Sequence, residues 1–124
     1  MNVKTSDLIG FALDWAVALC EGKDYLYKDK FAGKLLPYRR EYSTDWAQGG
    51  PIIEREGIEL LCNLTAAEAS KFKNAHADWQ AFYRQRRATH ERSFGTTPLV
   101  AAMRCYVESK FGNEVDVPDE LRSK

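Results

Sequence analysis

The chain carries little of the chemistry that marks metal sites or nucleophilic enzymes: three cysteines and two histidines in 124 residues. Cys20, Cys62 and Cys105 cannot all pair with one another, and each stands among apolar residues with no Cys-x-x-Cys spacing and no ligand set nearby. A disulfide framework and a zinc ribbon are therefore not expected, and a reducing cytoplasm fits best. His76 falls beside an apolar stripe and His90 in a polar stretch, with no carboxylate, Cys or Ser spaced to organise either as a base. Net charge is also absent, since eighteen Lys and Arg balance eighteen Asp and Glu. No overall field exists to hold a nucleic acid duplex or an anionic membrane. No apolar run reaches the ~18 residues that span a bilayer, and Met1 to Asp7 lack the basic head and apolar stretch of a signal peptide. Secretion and membrane insertion are not expected.

What is present is enough for a core. Apolar residues make up 44% of the chain, with three Trp, six Tyr and six Phe, too many for a chain built to stay disordered. One domain covering residues 1–124 is expected from this length.

Thr5 or Ser6 can cap a helix, and Leu8, Ile9, Ala12, Leu13, Ala16, Val17 and Cys20 then recur at helical spacing until Gly22. A second apolar row, Phe11, Trp15 and Leu19, predicts a helix covered on more than one side. Residues 23–42 break into short stretches such as Tyr25-Leu26-Tyr27 and Leu35-Leu36, the pattern of strands joined by turns. Ser43 to Pro51 reads as a loop because its small polar residues and its Gly-Gly-Pro run defeat both periodicities. Ile52 to Leu61 reads as two short strands, or one strand bent at Gly57, and strand alternation there would put Glu54 and Glu56 on one face, as a solvated edge or a carboxylate pair.

Thr65 and Glu68 have capping-box spacing and open a predicted basic helix over about 65–88, with Ala69, Phe72, Trp79, Phe82 and Tyr83 on its apolar stripe. Thr97-Pro98 opens a further helix that Gly112 ends. The expected fold class is thus α+β, three helices packed on a small, mainly antiparallel sheet, with a helical domain bearing a β-hairpin as the runner-up. Apolar surface on two sides of the first helix and on the 65–88 helix also predicts a homodimer or higher homo-oligomer.

Three stretches together resemble the NinX-like family of small phage and prophage proteins, whose function is unknown. They are Lys4 to Ala18, the run STDWAQGGPIIERE from Ser43 to Glu56, and Thr97 to Leu121, in that order and over roughly half the chain. The resemblance implies a phage-derived accessory protein of the host cytoplasm and supplies no active site, cofactor or metal. The chain departs from the family pattern between Cys62 and Gly95, where the capped basic helix stands as a variable segment.

Function is read from the residues beside that resemblance. Trp46 either plugs the core beneath its loop or offers a flat face to a ligand base. Gly49 and Gly50 permit a nest of converging N-H groups for an anion, and the helix start at Thr97 offers free N-H groups at a positive dipole end. Arg55 or Arg104 supplies a cation, although Arg104 can equally pair with Glu108 one turn on. With Thr44, Asp45 and Gln48 as hydrogen-bonding neighbours, these residues predict a pocket for a small anionic nucleotide, bound without turnover. A host immune signal such as a cyclic nucleotide or a cyclic ADP-ribose derivative is the natural candidate. The alternative is a module that redirects a host protein through the basic 65–88 helix. Residues 71–92 hold six basic and two acidic side chains, too little on a neutral chain for sequence-specific DNA binding.

Overall fold

The computed structural model describes residues 2–23, 41–62, 79–86, 88–89 and 91–118. Strand β1 (Asn2–Lys4) leads through a 3-10 turn (Thr5–Asp7) to α1 (Gly10–Cys20). Helix α2 (Trp46–Glu56) is followed by β2 (Ile58–Cys62), β3 (Trp79–Tyr83), a 3-10 turn (Arg84–Arg86), β4 (Ser93–Gly95), α3 (Pro98–Phe111) and β5 (Glu114–Asp116). The strands form two antiparallel sheets, β1 with β5 and β2-β3-β4. The result is a single α+β domain, as expected, but with two sheets in place of one.

Helix α3 forms as its local signals predict. Thr97 accepts from the Val100 N-H at 3.1 Å, Pro98 occupies the first turn, and Gly112 ends the helix at φ 79°. Both faces are used: Leu99 to Met103 and Cys105 to Val107 are buried against β3, β4, α1 and α2. Helix α1 is equally enclosed, with every residue from Ala12 to Ala18 buried. Most of its two apolar rows is covered inside the chain, with Ile9 left exposed and Phe11, Leu19 and Cys20 partly buried; the 65–88 segment that would supply the other row of the expected homo-oligomer lies mostly outside the described residues.

Three elements differ from expectation. Helix α1 starts at Gly10, after Leu8 and Ile9 in extended conformation, and the hydroxyl of Thr5, the expected cap, donates to the Gly112 carbonyl at 2.6 Å. That bond fastens the N-terminal segment to the end of α3. Trp79–Tyr83 is the central strand of its sheet and not the end of a long helix. Five residues rich in aromatics satisfy either periodicity, and β neighbours on both sides decide between them. Third, the segment read as a loop and then as β structure is helix α2 as far as Glu56, and only its end, from Ile58, is the expected strand, β2. Asp45 caps the helix, its Oδ1 accepting the Ala47 N-H at 2.9 Å, and Gly57 closes it at φ 71°. Glu54 and Glu56 are consequently two residues apart on a helix, not on one strand face. The strands expected over 23–42 fall almost wholly outside the described residues, as do the 65–68 capping box, His76 and His90.

Candidate functional site

Helix α2 sets the geometry of both regions that could carry function. Gly49 lies against Tyr42 and Leu99, and six residues later Arg55 reaches Tyr106. The two helices therefore run side by side in the same direction, with the starts of α2 and α3 at one end.

At that end stands the first region. Trp46, the first residue of α2, is 52% exposed, so it is not a plug in the core. Asp45 beside it is engaged at both oxygens, by the Ala47 N-H and by Gln48 Nε2 at 3.0 Å. Gln48 Oε1 in turn accepts the Glu41 N-H at 2.9 Å, closing a small ring of bonds that fixes the helix start. Thr44 is exposed, and its N-H donates to the Glu41 carbonyl. Beneath, the Ser43 N-H donates to Asp14 Oδ1 at 2.8 Å in the buried interior. The structure thus gathers Thr44, Asp45, Trp46, Gln48 and Gly50 at the start of α2, next to the start of α3 that Thr97 caps.

The phosphate-binding features predicted for this place are arranged otherwise. Gly49 and Gly50 are helical, and neither has the positive φ a nest needs. Gly49 serves packing. Arg55 is nine residues from Trp46, hence on the opposite face of α2 and ~14 Å along its axis. Arg104 donates from Nε to the Leu8 carbonyl at 2.7 Å and from Nη1 to the Phe94 carbonyl at 2.8 Å, with its affinity for a proton lowered by burial and partly restored by Asp7.

Arg55 belongs to the second region, a polar network joining the ends of α1, α2 and α3. Its Nη1 and Nη2 grip Glu21 at 3.1 and 2.7 Å, Nε donates to Glu56 at 3.0 Å, and Nη2 also reaches the Tyr106 hydroxyl. Tyr106 donates to the same Glu21. Tyr83 donates to Glu56 at 3.2 Å and pairs with Ser109 at 2.8 Å. The Arg55 hydrogen bonds hold the Glu21 carboxyl below its ordinary range, and Glu21 with Glu56 raises Arg55. Burial raises the Tyr106 hydroxyl, and the Glu21 carboxylate adds to that; burial pushes Tyr83 up to about 12. Cys20 and Cys105 are likewise pushed to about 12 by burial. These hydroxyls and thiols are protonated at neutral pH and poorly suited to nucleophilic attack. Among the described residues no three His, Cys, Asp or Glu side chains converge as metal ligands, and no helix is long and apolar enough to cross a membrane. Sequence reading singled out Arg55 as a cation and Glu56 only as a partner of Glu54; it missed Glu21 and Tyr106, which lie 34 and 51 positions from Arg55.

A third feature gives a pH test of the packing. The Glu108 carboxyl is raised above its ordinary range, chiefly by burial, with the Ser93 hydroxyl opposing and Glu91 reinforcing. A carboxyl whose folded value lies above its unfolded value favours the fold when protonated, so its contribution falls as pH rises through that interval. Glu108→Gln is expected to raise the melting temperature near neutral pH by roughly 2 °C, and the gain should vanish once the pH falls below the unfolded carboxyl range. Calorimetry at the two pH values checks both parts.

A family model described as Bacteriophage P22, NinX matches residues 4–110, a span that includes every residue of both regions. No curated protein matches the chain.

Proposed function

We propose that this chain, which belongs to the bacteriophage P22 NinX family and is therefore a phage protein, acts in the host cytoplasm as a non-enzymatic binder that sequesters a small nucleotide at Trp46. The observation that carries the reading is the indole itself: a large flat side chain left 52% exposed on a rigid helix start, where every base has a π-face to stack on it. A host immune signal, such as a cyclic nucleotide or a cyclic ADP-ribose derivative, is the ligand a phage would gain from removing. Calorimetry against a panel of such messengers should find one that binds and is recovered intact after heat denaturation. Trp46→Ala should then weaken binding by ~1–3 kcal/mol while the circular dichroism spectrum stays unchanged. A wild-type chain that binds none of the panel, or one that returns a hydrolysed ligand, would refute it.

A second reading follows from the engagement of Arg55 and Arg104 within the fold. Without a free cation beside it among the described residues, Trp46 can instead be an aromatic anchor for a host protein. The basic 65–88 segment, the contact expected from sequence, lies mostly outside the described residues. Capture of one host protein by the wild-type chain and not by Trp46→Ala discriminates this reading.

A further inference from the structure

The connection between β3 and β4 concentrates positive charge. Its nine residues from Arg84 to Arg92 hold four of the chain's nine arginines, none of its nine lysines and one acidic residue, Glu91. Four arginines against one glutamate leave +3 on this short stretch of a chain that is neutral as a whole. A local patch of that kind can hold a polyanion that the whole chain does not attract. The structure sets it at the end of the sheet. The β2-β3 ladder stops at the pair Ile58 and Tyr83 and the β3-β4 ladder at Ala81 and Ser93, so Arg84 and Arg86 lie past both.

The turn that carries them is held by its own bonds. The Arg84 N-H donates to the Gly57 carbonyl at 3.0 Å, and the Thr89 N-H and hydroxyl donate to the Arg86 carbonyl at 3.0 and 2.8 Å. The Arg92 guanidinium stands 3.9 Å from the centroid of the Phe82 ring, and its Nη1 donates to the Glu91 carbonyl. Arg92 is thus fixed against the sheet, where it adds charge to the patch. Arg84 and Arg86 face solvent. Their side chains are 76% and 55% exposed, and they pair with Glu59 at 3.9 Å and Glu91 at 3.5 Å. Both separations exceed the ~2.7–2.9 Å of a charge-assisted bond, and exposed pairs of this kind contribute little. Arg55, held to Glu21 at 2.7 Å, shows the contrast.

The make-up of the turn selects among polyanions. A protein interface is centred on apolar or aromatic anchors, and the exposed large apolar side chains among the described residues, Ile9, Trp46, Leu61 and Phe111, all lie elsewhere. A single strand stacks its bases on aromatic side chains, which are equally missing from the described part of the turn. The phosphates of a duplex require neither. Arginine offers them paired donors in a planar fork. The major groove of B-form DNA admits a two-stranded β-ribbon, the form in which β3 and β4 meet this turn, whereas that of an RNA duplex is deep and narrow. We infer that the β3-β4 turn, through Arg84 and Arg86, binds the phosphate backbone of duplex DNA without reading its sequence. The contact is separate from Trp46 and stands or falls without it.

The test is the fluorescence anisotropy of a short labelled DNA duplex of arbitrary sequence. The wild type is expected to bind with a dissociation constant of roughly 10⁻⁵–10⁻⁴ M at about 50 mM salt and to weaken about tenfold by about 200 mM. Arg84→Gln combined with Arg86→Gln should weaken binding at least about tenfold at the lower salt and reduce the salt slope by about 2. The matching double lysine variant should keep the slope and weaken binding no more than about threefold. Both variants replace exposed side chains, so their circular dichroism and thermal midpoints should match the wild type. Trp46→Ala should bind the duplex as the wild type does. A matched single strand, an RNA duplex and polyglutamate should each bind more weakly than the DNA duplex, and any of them binding as tightly overturns the assignment. Absence of binding at the lower salt, or a double glutamine variant that binds like the wild type, overturns it as well.

Discussion

Gly49→Ala is expected to destabilise the protein by ~3 kcal/mol, roughly 10 °C in melting temperature, whereas Gly50→Ala at the next position should change stability by no more than ~1 kcal/mol, the gain in helix propensity opposed by Pro51, whose ring disfavours a Cβ on a helical residue before it. Helix propensity alone predicts a gain at both, since both glycines lie inside α2. Packing separates them. A Cβ on Gly49 would overlap the Tyr42 carbonyl oxygen and stand 2.6 Å from Leu99 Cδ2. The leucine tip could turn, but the Tyr42 carbonyl belongs to a buried backbone that the Ser43–Asp14 bond holds in place. Relief would have to come from α2 moving off α3, which would withdraw Ile52 from the core as well. Thermal melts of the two single variants decide the matter. Equal shifts would mean that α2 does not sit against α3 as described.

The same pair of residues shows what could be read in the sequence and what could not. A cap, a first-turn proline and a closing glycine define α3 from neighbours alone, and the periodic apolar residues of α1 give its length within a few positions. Helix α2 carries equally good boundary residues in Asp45 and Gly57, but Gly49, Gly50 and Pro51 argue against a helix by propensity. The contact that outweighs them, Gly49 against Leu99, spans fifty positions. Thr5 misled for the same reason, since its hydroxyl is used at Gly112 and not at the adjacent helix. For the site, Trp46 was identifiable as a large aromatic in a polar run, while its exposure depends on how α2 packs. The cations expected to join it were named from residue type. Nothing local could reveal that Glu21, Leu8 and Phe94 would engage them first.

Arg104→Met should cost ~3 kcal/mol, roughly 10 °C, and leave ligand affinity unchanged in the protein that remains folded. The side chain is half-buried, and its guanidinium bridges the Leu8 carbonyl ahead of α1 to the Phe94 carbonyl of β4. Methionine preserves most of the apolar stem. What it removes is two charge-assisted hydrogen bonds, leaving two poorly hydrated carbonyls with one partner fewer. Desolvation already disfavours the charge on Arg104, so the fold retains it for its planar pair of donors rather than for its field. Lysine, a single ammonium with no fork, should satisfy one carbonyl and restore about half of the loss. The contrary outcome is equally concrete: if Arg104→Met melts within a degree or so of the wild type but no longer binds the nucleotide, Arg104 is the cation of the site and the two carbonyl bonds are incidental.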